Sequence, residues 1–207
     1  MEKTLFIADD HTMIRKGLAT WFEECTEWTC AGQASNKTEL IAAMEELCQK
    51  NSLPSVLITD INLNGSDDGF EIISEVKEKW PQIKIAAYSM YESPGMVQKA
   101  LSFGASGYVS KTESEENLLK CVEDIFCGRE HVEKSLTESV KLYNTAISAL
   151  TKREKQTLEL LLKRKTNVEI SDAMEINLHV AGNYISRVCE KMGVLDRNDL
   201  VKQFGEK

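Results

Sequence analysis

The chain has 207 residues, of which 42% are hydrophobic and 28% charged, and its formal net charge is −8. This composition is typical of a globular protein with a buried core, and no apolar stretch approaches the roughly 20 residues that a membrane-spanning helix needs. The six cysteines form no pair at zinc-ligand spacing. We therefore expect free thiols, a cytoplasmic location and no membrane partner.

Charge is distributed unevenly along the chain. Residues 1–148 contain 14 basic and 24 acidic side chains, whereas residues 149–207 contain 11 basic and 9 acidic ones. An acidic first part and a mildly basic second part indicate two units with different partners. The small basic excess of the second part permits nucleic-acid binding without requiring it.

Short aliphatic runs alternate with amphipathic stretches from the start of the chain to residue 127. The aliphatic runs predict five strands, at 4–8, 29–35, 55–59, 84–89 and 107–110. The amphipathic stretches predict five helices, at about 12–25, 36–50, 69–79, 94–103 and 113–127. Strict alternation favours a parallel sheet with helices on both faces. The predicted fold of residues 1–127 is α/β, a flavodoxin-like doubly wound five-stranded parallel sheet.

The pattern changes after Gly128. Residues 128–148 are polar and predict a linker that contains one helix. From residue 149 to 207 the pattern is helical only, and Thr151 with Glu154 has the spacing of a capping box at the start of the first helix. The second domain is therefore predicted to be a small all-α unit of four helices.

Chemically active side chains stand at the ends of four predicted strands. They are Asp9, Asp10, Asp60, Ser89 and Lys111. Because the carboxyl ends of parallel strands meet at one edge of the sheet, we expect these side chains to share one crevice. Three carboxylates suit Mg²⁺, which prefers oxygen ligands, and a metal-bound Asp60 could act as a nucleophile that forms an acyl phosphate.

The segments "ADD", "LITD", "AAYS" and "GYVSK" resemble the receiver domain of bacterial two-component response regulators over residues 3–127. The resemblance implies that Asp60 accepts a phosphoryl group from a sensor histidine kinase and that Lys111 holds a phosphoryl oxygen. It also implies that Ser89 and Tyr108 form a switch pair.

The same resemblance implies that Asp9 and Asp10 position Mg²⁺ together with Asp60 and the backbone carbonyl of Asn62. His11 follows the acidic pair. We expect it to cap or pack at the start of the first helix rather than to take part in the chemistry.

Residues 149–203 resemble the LuxR-type helix-turn-helix that follows a receiver in NarL/FixJ-class regulators. The resemblance implies that "HVAGNYISRVCEKMGV" is the recognition helix, which enters the major groove of double-stranded DNA. The family pattern Thr-Val-Lys-x-His, placed on residues 179–183, puts its DNA-binding Lys at Ala181. The candidate DNA contacts are His179, Ala181, Asn183, Ser186, Arg187, Lys191 and Arg197.

Two functions from different classes follow from these assignments. The first is a transcription factor that dimerises on activation and binds promoter DNA. The second is a phosphorylation-switched adaptor whose helical tail binds protein, since the recognition helix lacks the usual Lys. Neither is an enzyme beyond self-phosphorylation and autodephosphorylation. A phosphatase with an aspartate nucleophile is a weaker third reading, because Asn62 stands where its general acid should be.

Overall fold

The computed structural model describes residues 2–63 and 68–205. The chain folds into two compact units. The first contains Met1–Met90 and Lys99–Glu133, and the second contains Tyr91–Gln98 and Lys134–Lys207. The segment 128–148, which was predicted to be a linker with one helix, contains a helix at Lys134–Ser148 and also a short strand at His131–Val132.

The first unit is built on one parallel sheet with the strand order β2-β1-β3-β4-β5-β6. The strands are β1 (Thr4–Ala8), β2 (Thr29–Ala34), β3 (Val56–Thr59), β4 (Lys84–Ser89), β5 (Gly107–Ser110) and β6 (His131–Val132). The five predicted strands and the doubly wound class are confirmed. The sixth strand was not predicted, because two residues are too few to show an alternating pattern.

Five helices accompany this sheet along the chain, close to their predicted positions. They are α1 (Thr12–Cys25), α2 (Lys37–Gln49), α3 (Asp68–Lys79), α4 (Pro94–Ser102) and α5 (Glu115–Phe126). Buried strands read as continuous aliphatic runs when helices cover both faces of a sheet. The four residues of β3 are all buried, as are the four of β5.

Alternate residues of each strand supply the two faces of the sheet. Leu5 and Ile7 of β1 belong to one core cluster, which also contains Phe22 of α1 and Val122 of α5. Because this packing fixes the register of the strands, it also fixes which residue stands at each strand end.

In the part of the chain that the structure describes, the second unit contains five helices after residue 133. They are α6 (Lys134–Ser148), α7 (Lys152–Leu162), α8 (Asn167–Ala173), α9 (Leu178–Met192) and α10 (Arg197–Phe204). The helices α7 to α10 are the predicted four. The capping box at Thr151 and Glu154 is present, with the Thr151 side chain accepting from the Glu154 amide. Among the described residues, no helix combines the length and apolarity that crossing a bilayer takes.

Candidate functional site

The strand ends of the first unit bring the predicted acidic residues together. Asp9 follows β1 and Asp60 follows β3, while Ser89 ends β4 and Lys111 follows β5. Asp9 is 1% exposed and Asp60 is 4% exposed. Like charges at this depth are costly unless a positive charge lies beside them.

The positive charge beside the two buried carboxylates is Lys111. Its Nζ lies 2.6 Å from Asp60 Oδ2 and 2.7 Å from Asp9 Oδ2. The lysine side chain is only 3% exposed. In this structure the ammonium therefore joins the ends of β1 and β3 from its position after β5.

The pairing changes the ionisation of both partners. Burial raises the pKa of Asp60 above its ordinary value, although the hydrogen bond and charge of Lys111 oppose this rise. Burial acts to lower the pKa of Lys111, but its hydrogen bonds to Asp60 and Asp9 outweigh burial and raise that pKa. The ammonium is thus held in its charged form, which in turn favours the charged form of Asp60.

The donor set of the pocket fits a divalent cation. Asp9, Asp10, His11 and Asp60 each offer a ligand atom, and these atoms all lie within 4.8 Å of one another. Two ligands on opposite sides of an ion with bonds of about 2.1 Å are about 4.2 Å apart. The ligand atoms of the pocket are therefore close to the spacing that a single ion requires. Three carboxylates and one ammonium also leave an excess of two negative charges, which one divalent cation would neutralise.

The predicted switch residues lie on the neighbouring strands β4 and β5. Ser89 pairs in register with Ser110, and the Lys111 amide donates to the Ser89 carbonyl at 2.8 Å. Ser89 is 1% exposed and Tyr108 is fully buried. The ring of Tyr108 thus lies in the interior of the first unit. Along the sheet, Tyr108 of β5 is in register with Val132 of β6.

Two further contacts shape the pocket. The Asn62 amide donates to Asp60 Oδ1 at 3.1 Å and so orients the Asp60 carboxylate. Asn62 is also the residue whose backbone carbonyl the resemblance assigns to metal binding. Arg15 donates to the backbone carbonyl of Asp9. Sequence reasoning missed Arg15, although its position one helical turn after His11 on α1 would have placed it at this end of the sheet.

The expectation for His11 holds for its position at the start of α1 but not for its side chain. His11 occupies the N-cap position of α1, but its side chain makes no capping hydrogen bond. The side chain is also 63% exposed, so it does not pack in the core. The imidazole instead turns towards the two acidic side chains that precede it, with Nδ1 2.8 Å from Asp10 Oδ1.

In the second unit, α9 exposes a polar face that contains four of the predicted DNA contacts. They are His179, Asn183, Ser186 and Arg187. Their spacing of three and four residues places them on one side of the helix. Arg187 is the only permanently charged cation among these four, so the face carries little positive charge.

Ala181 does not belong to that face. It is fully buried in the core of the helical unit with Ile185 and Val188. The expectation that Ala181 stands at a DNA-contacting position is therefore wrong, since a lysine there would point into the core.

Burial also corrects the register of the family pattern on α9. An apolar Val suits the buried position 181, so the Lys that follows it corresponds to Gly182. A Cβ atom added at Gly182 would meet no other atom within 4 Å. Position 182 therefore has room for a side chain. Leu178, at the start of the same helix, is also accessible, with 53% of its surface exposed. Sequence reasoning missed both positions because it could not tell the buried side of α9 from the exposed one.

The two remaining candidates already have internal partners. Lys191 Nζ lies 2.7 Å from the buried Glu154 carboxylate and also donates to the Ala149 carbonyl at 3.2 Å. Arg197 donates to Asn167 Oδ1 at 2.7 Å and to the Lys165 carbonyl at 2.5 Å. Both cations therefore hold helices of this unit together in the structure.

Comparison with known proteins defines the class. Residues 5–123 match the response regulator receiver domain family, and residues 148–204 match the bacterial regulatory proteins of the luxR family. The chain belongs to the response regulators, with a receiver domain followed by a LuxR-type helix-turn-helix.

Two individual relatives extend over nearly the whole chain, and a third extends over 69% of it. The response regulator protein VraR of Staphylococcus aureus is 28% identical over 205 residues, which cover 96% of this chain and 94% of VraR. RcsB of Salmonella enterica serovar Typhimurium, solved bound to promoter P1flhDC with the phosphomimetic BeF3−, has a TM-score of 0.75 and 21% identity, covering 98% of each chain. A LuxR-family response regulator from Aurantimonas sp. SI85-9A1 has a TM-score of 0.60 and 21% identity, covering 69% of this chain and 97% of its own.

Proposed function

We propose that this response regulator is a transcription factor switched by phosphorylation of Asp60. Residues 1–127 would receive the phosphoryl group from a sensor histidine kinase, and residues 149–207 would bind promoter DNA as a homodimer. Residues 128–148 would connect the two. One observation carries the proposal: Lys111 Nζ lies within 2.7 Å of a carboxylate oxygen of Asp60 and of one of Asp9. The free cysteines fit a cytoplasmic location.

The proposed reaction is one phosphoryl transfer. A carboxylate oxygen of Asp60 attacks phosphorus, a P–O bond forms, the P–N bond to the kinase histidine breaks, and its electron pair returns to the imidazole. Lys111, already 2.6 Å from Asp60 Oδ2, would neutralise an oxygen of the transferred group, and Ser89 would donate to another. The product is an acyl phosphate on this chain rather than a released molecule, which is the behaviour of a phosphoacceptor and not of a turnover catalyst.

A divalent cation such as Mg²⁺ completes the pocket in this proposal. Asp9, Asp10, Asp60 and the backbone carbonyl of Asn62 would hold it. When bound, it supplies positive charge that stabilises the transferring phosphoryl group. Ser89 and Tyr108 would then relay the change at Asp60 through β4 and β5.

The Asp60→Asn variant tests the assigned acceptor. With Mg²⁺ and a small phosphoryl donor, the wild-type chain should gain one phosphoryl group by intact mass spectrometry, and Asp60→Asn should gain none, since an amide oxygen is not a comparable nucleophile. The matched control is Asp172→Asn, which changes an exposed acid of α8 and should be phosphorylated like the wild type. Equal labelling of all three proteins would show that another residue is the acceptor.

DNA binding by the helical unit rests on the exposed side of α9. The helix α9 has 15 residues, a capped N-terminus and its core residues along one side. Its other side would face the major groove of DNA. His179, Asn183, Ser186 and Arg187 are the side chains that would reach base edges or phosphates there. Because Lys191 and Arg197 are engaged internally, few counterions would be released and non-specific affinity should be modest.

Gel-shift measurements with genomic fragments and beryllofluoride test this interface. Arg187→Ala should weaken specific binding about tenfold, because a charge-assisted hydrogen bond contributes about 1.5 kcal/mol. Gly182→Lys should strengthen binding by a similar factor, since its side chain would extend into open space. As a control, Lys141→Ala on α6 should leave binding unchanged.

The adaptor reading has one observation in its favour. Val168 near the start of α8 and Leu178 at the start of α9 are 57% and 53% exposed. Exposed apolar side chains of this size suit a protein partner as well as thymine methyl groups. An absence of specific DNA binding by the beryllofluoride-treated chain, with Gly182→Lys equally inactive, would favour the adaptor.

A further inference from the structure

His11 stands at the acidic pocket, but the proposed phosphoryl transfer does not use its side chain. Its side chain makes no capping hydrogen bond to α1 and does not pack in the core. Its Nδ1 lies 2.8 Å from Asp10 Oδ1 and 3.3 Å from Asp9 Oδ1. The His11 amide also donates to Asp9 Oδ1 at 2.8 Å, so both the backbone and the ring of this residue face the carboxylates.

The pocket has two sides with different occupants. Lys111 contacts the Oδ2 atoms of Asp9 and Asp60. His11 instead stands at the Oδ1 atom of Asp9, and Asp60 Oδ1 accepts the amide of Asn62. A cation bound among the three carboxylates on the Oδ1 side would therefore meet the imidazole rather than the ammonium.

The imidazole can serve as a ligand without any change of fold. In the tautomer with its hydrogen on Nε2, Nδ1 presents a lone pair towards the carboxylates. Ligand atoms of His11, Asp9, Asp10 and Asp60 all lie within 4.8 Å of one another, a spacing that fits one ion. The helix N-terminus contributes about half a positive charge, which is small beside three carboxylates.

We propose that His11 is a nitrogen ligand of this pocket and that it shifts the metal preference from Mg²⁺ towards divalent first-row transition metals. Mg²⁺ favours all-oxygen sites, whereas imidazole suits the transition metals, whose affinity rises along the series from Mn²⁺. The inference rests on the proposed function only in that the pocket holds a divalent cation. It assigns His11 a role in metal choice and none in phosphoryl transfer itself.

Mn²⁺ bound to the full-length chain tests this inference through its electron spin echo modulation. The wild type should show coupling to a directly bound nitrogen, and His11→Gln should lose it. Loss of even an outer-shell partner commonly weakens metal binding about tenfold or more. The preference for Mn²⁺ over Mg²⁺, measured by calorimetry, should therefore fall at least about tenfold in His11→Gln. The matched control is His179→Gln, which removes an exposed histidine of α9 and should retain the coupling.

The possible outcomes separate the inference from the proposed function. Mn²⁺ that binds the wild type without nitrogen coupling, and is displaced by Mg²⁺, would overturn the role of His11 and leave the metal pocket intact. Nitrogen coupling that persists in His11→Gln would overturn it as well. Absence of any divalent binding, together with unlabelled Asp60, would overturn both proposals.

Discussion

Replacing Lys111 by methionine is expected to destabilise the first unit by about 3 kcal/mol when divalent cations are removed by chelation. The substitution leaves Asp9 and Asp60 buried without the ammonium that lies 2.7 and 2.6 Å from them. Removing one partner of a buried ion pair costs more than the pair contributes, because the remaining charge is desolvated and uncompensated. A loss of this size corresponds to a fall in midpoint temperature of roughly 10 °C.

Excess Mg²⁺ should restore part of this stability, and more in Lys111→Met than in the wild type. The variant pocket has one more uncompensated negative charge, and a ligand at 100 times its dissociation constant stabilises by about 2.7 kcal/mol. Tryptophan fluorescence can follow the transition, since Trp21, Trp28 and Trp80 all lie in the first unit. Equal midpoints for variant and wild type in chelator would show that the ion pair does not stabilise the pocket.

The matched control for this experiment is Lys50→Met. Lys50 pairs with Glu46 four residues earlier, but the two side chains are 62% and 67% exposed. Exposed pairs of this kind contribute about 0.5 kcal/mol or less. The control should therefore unfold close to the wild type, with no added dependence on Mg²⁺.

Replacing Glu154 by glutamine should weaken the helical unit by about 2 kcal/mol at neutral pH. The Glu154 carboxylate accepts from the Thr151 amide at 2.7 Å, the Thr151 hydroxyl at 2.9 Å and Lys191 Nζ at 2.7 Å. These contacts, with Lys191 the largest cause, lower the pKa of Glu154 from 4.5 to about 2. The residue is also 3% exposed, so an amide would leave the Lys191 ammonium without its counter-charge.

The sign of this pKa shift sets the pH dependence. The folded form holds the ionised carboxylate, so its stabilisation is fully present above about pH 4.5 and is lost as the pH falls through about 2. Wild type and Glu154→Gln should differ most at neutral pH and converge near pH 2. Hydrogen exchange of the α7 and α9 amides measures the stability of the helical unit separately from that of the first unit. A constant difference from neutral pH to pH 2 would contradict the assigned cause.

Glu169→Gln provides a matched control with the same local geometry. Glu169 accepts from the Thr166 amide at 2.8 Å, the Thr166 hydroxyl at 2.9 Å and Lys165 at 2.8 Å. Its side chain is 47% exposed, however, where water and salt screen the pair. Its substitution should therefore disturb hydrogen exchange much less than Glu154→Gln, and the remaining effect should shrink as salt is added.

The receiver pocket was predictable because strand ends and side-chain chemistry are both local features. A run such as residues 55–59 ends visibly at Asp60, and parallel strands bring their ends to one place. The role of Lys111 as the partner of Asp9 and Asp60 was less accessible, since it depends on a distance across three strands. The direction of the His11 side chain was missed because the sequence indicates a cap site but not where the side chain at that site points.

The helical unit was predicted well in outline and poorly in detail for a physical reason. Periodicity locates a helix such as α9, but small residues such as Ala181 and Gly182 carry too little hydrophobic signal to mark its buried side. The pairing of Lys191 with Glu154 joins residues 37 positions apart. Nothing local in the sequence distinguishes that lysine from one that faces DNA.

The short strand β6 has a consequence for where the receiver ends. Without His131 and Val132, β5 would be the outermost strand, and its amides and carbonyls would be open to pairing with another chain. The periodic pattern of the sequence stops at residue 127. The strand that covers the edge of β5 begins only at His131, four residues later. The first compact unit accordingly ends at Glu133 rather than at residue 127, where the predicted receiver domain ends.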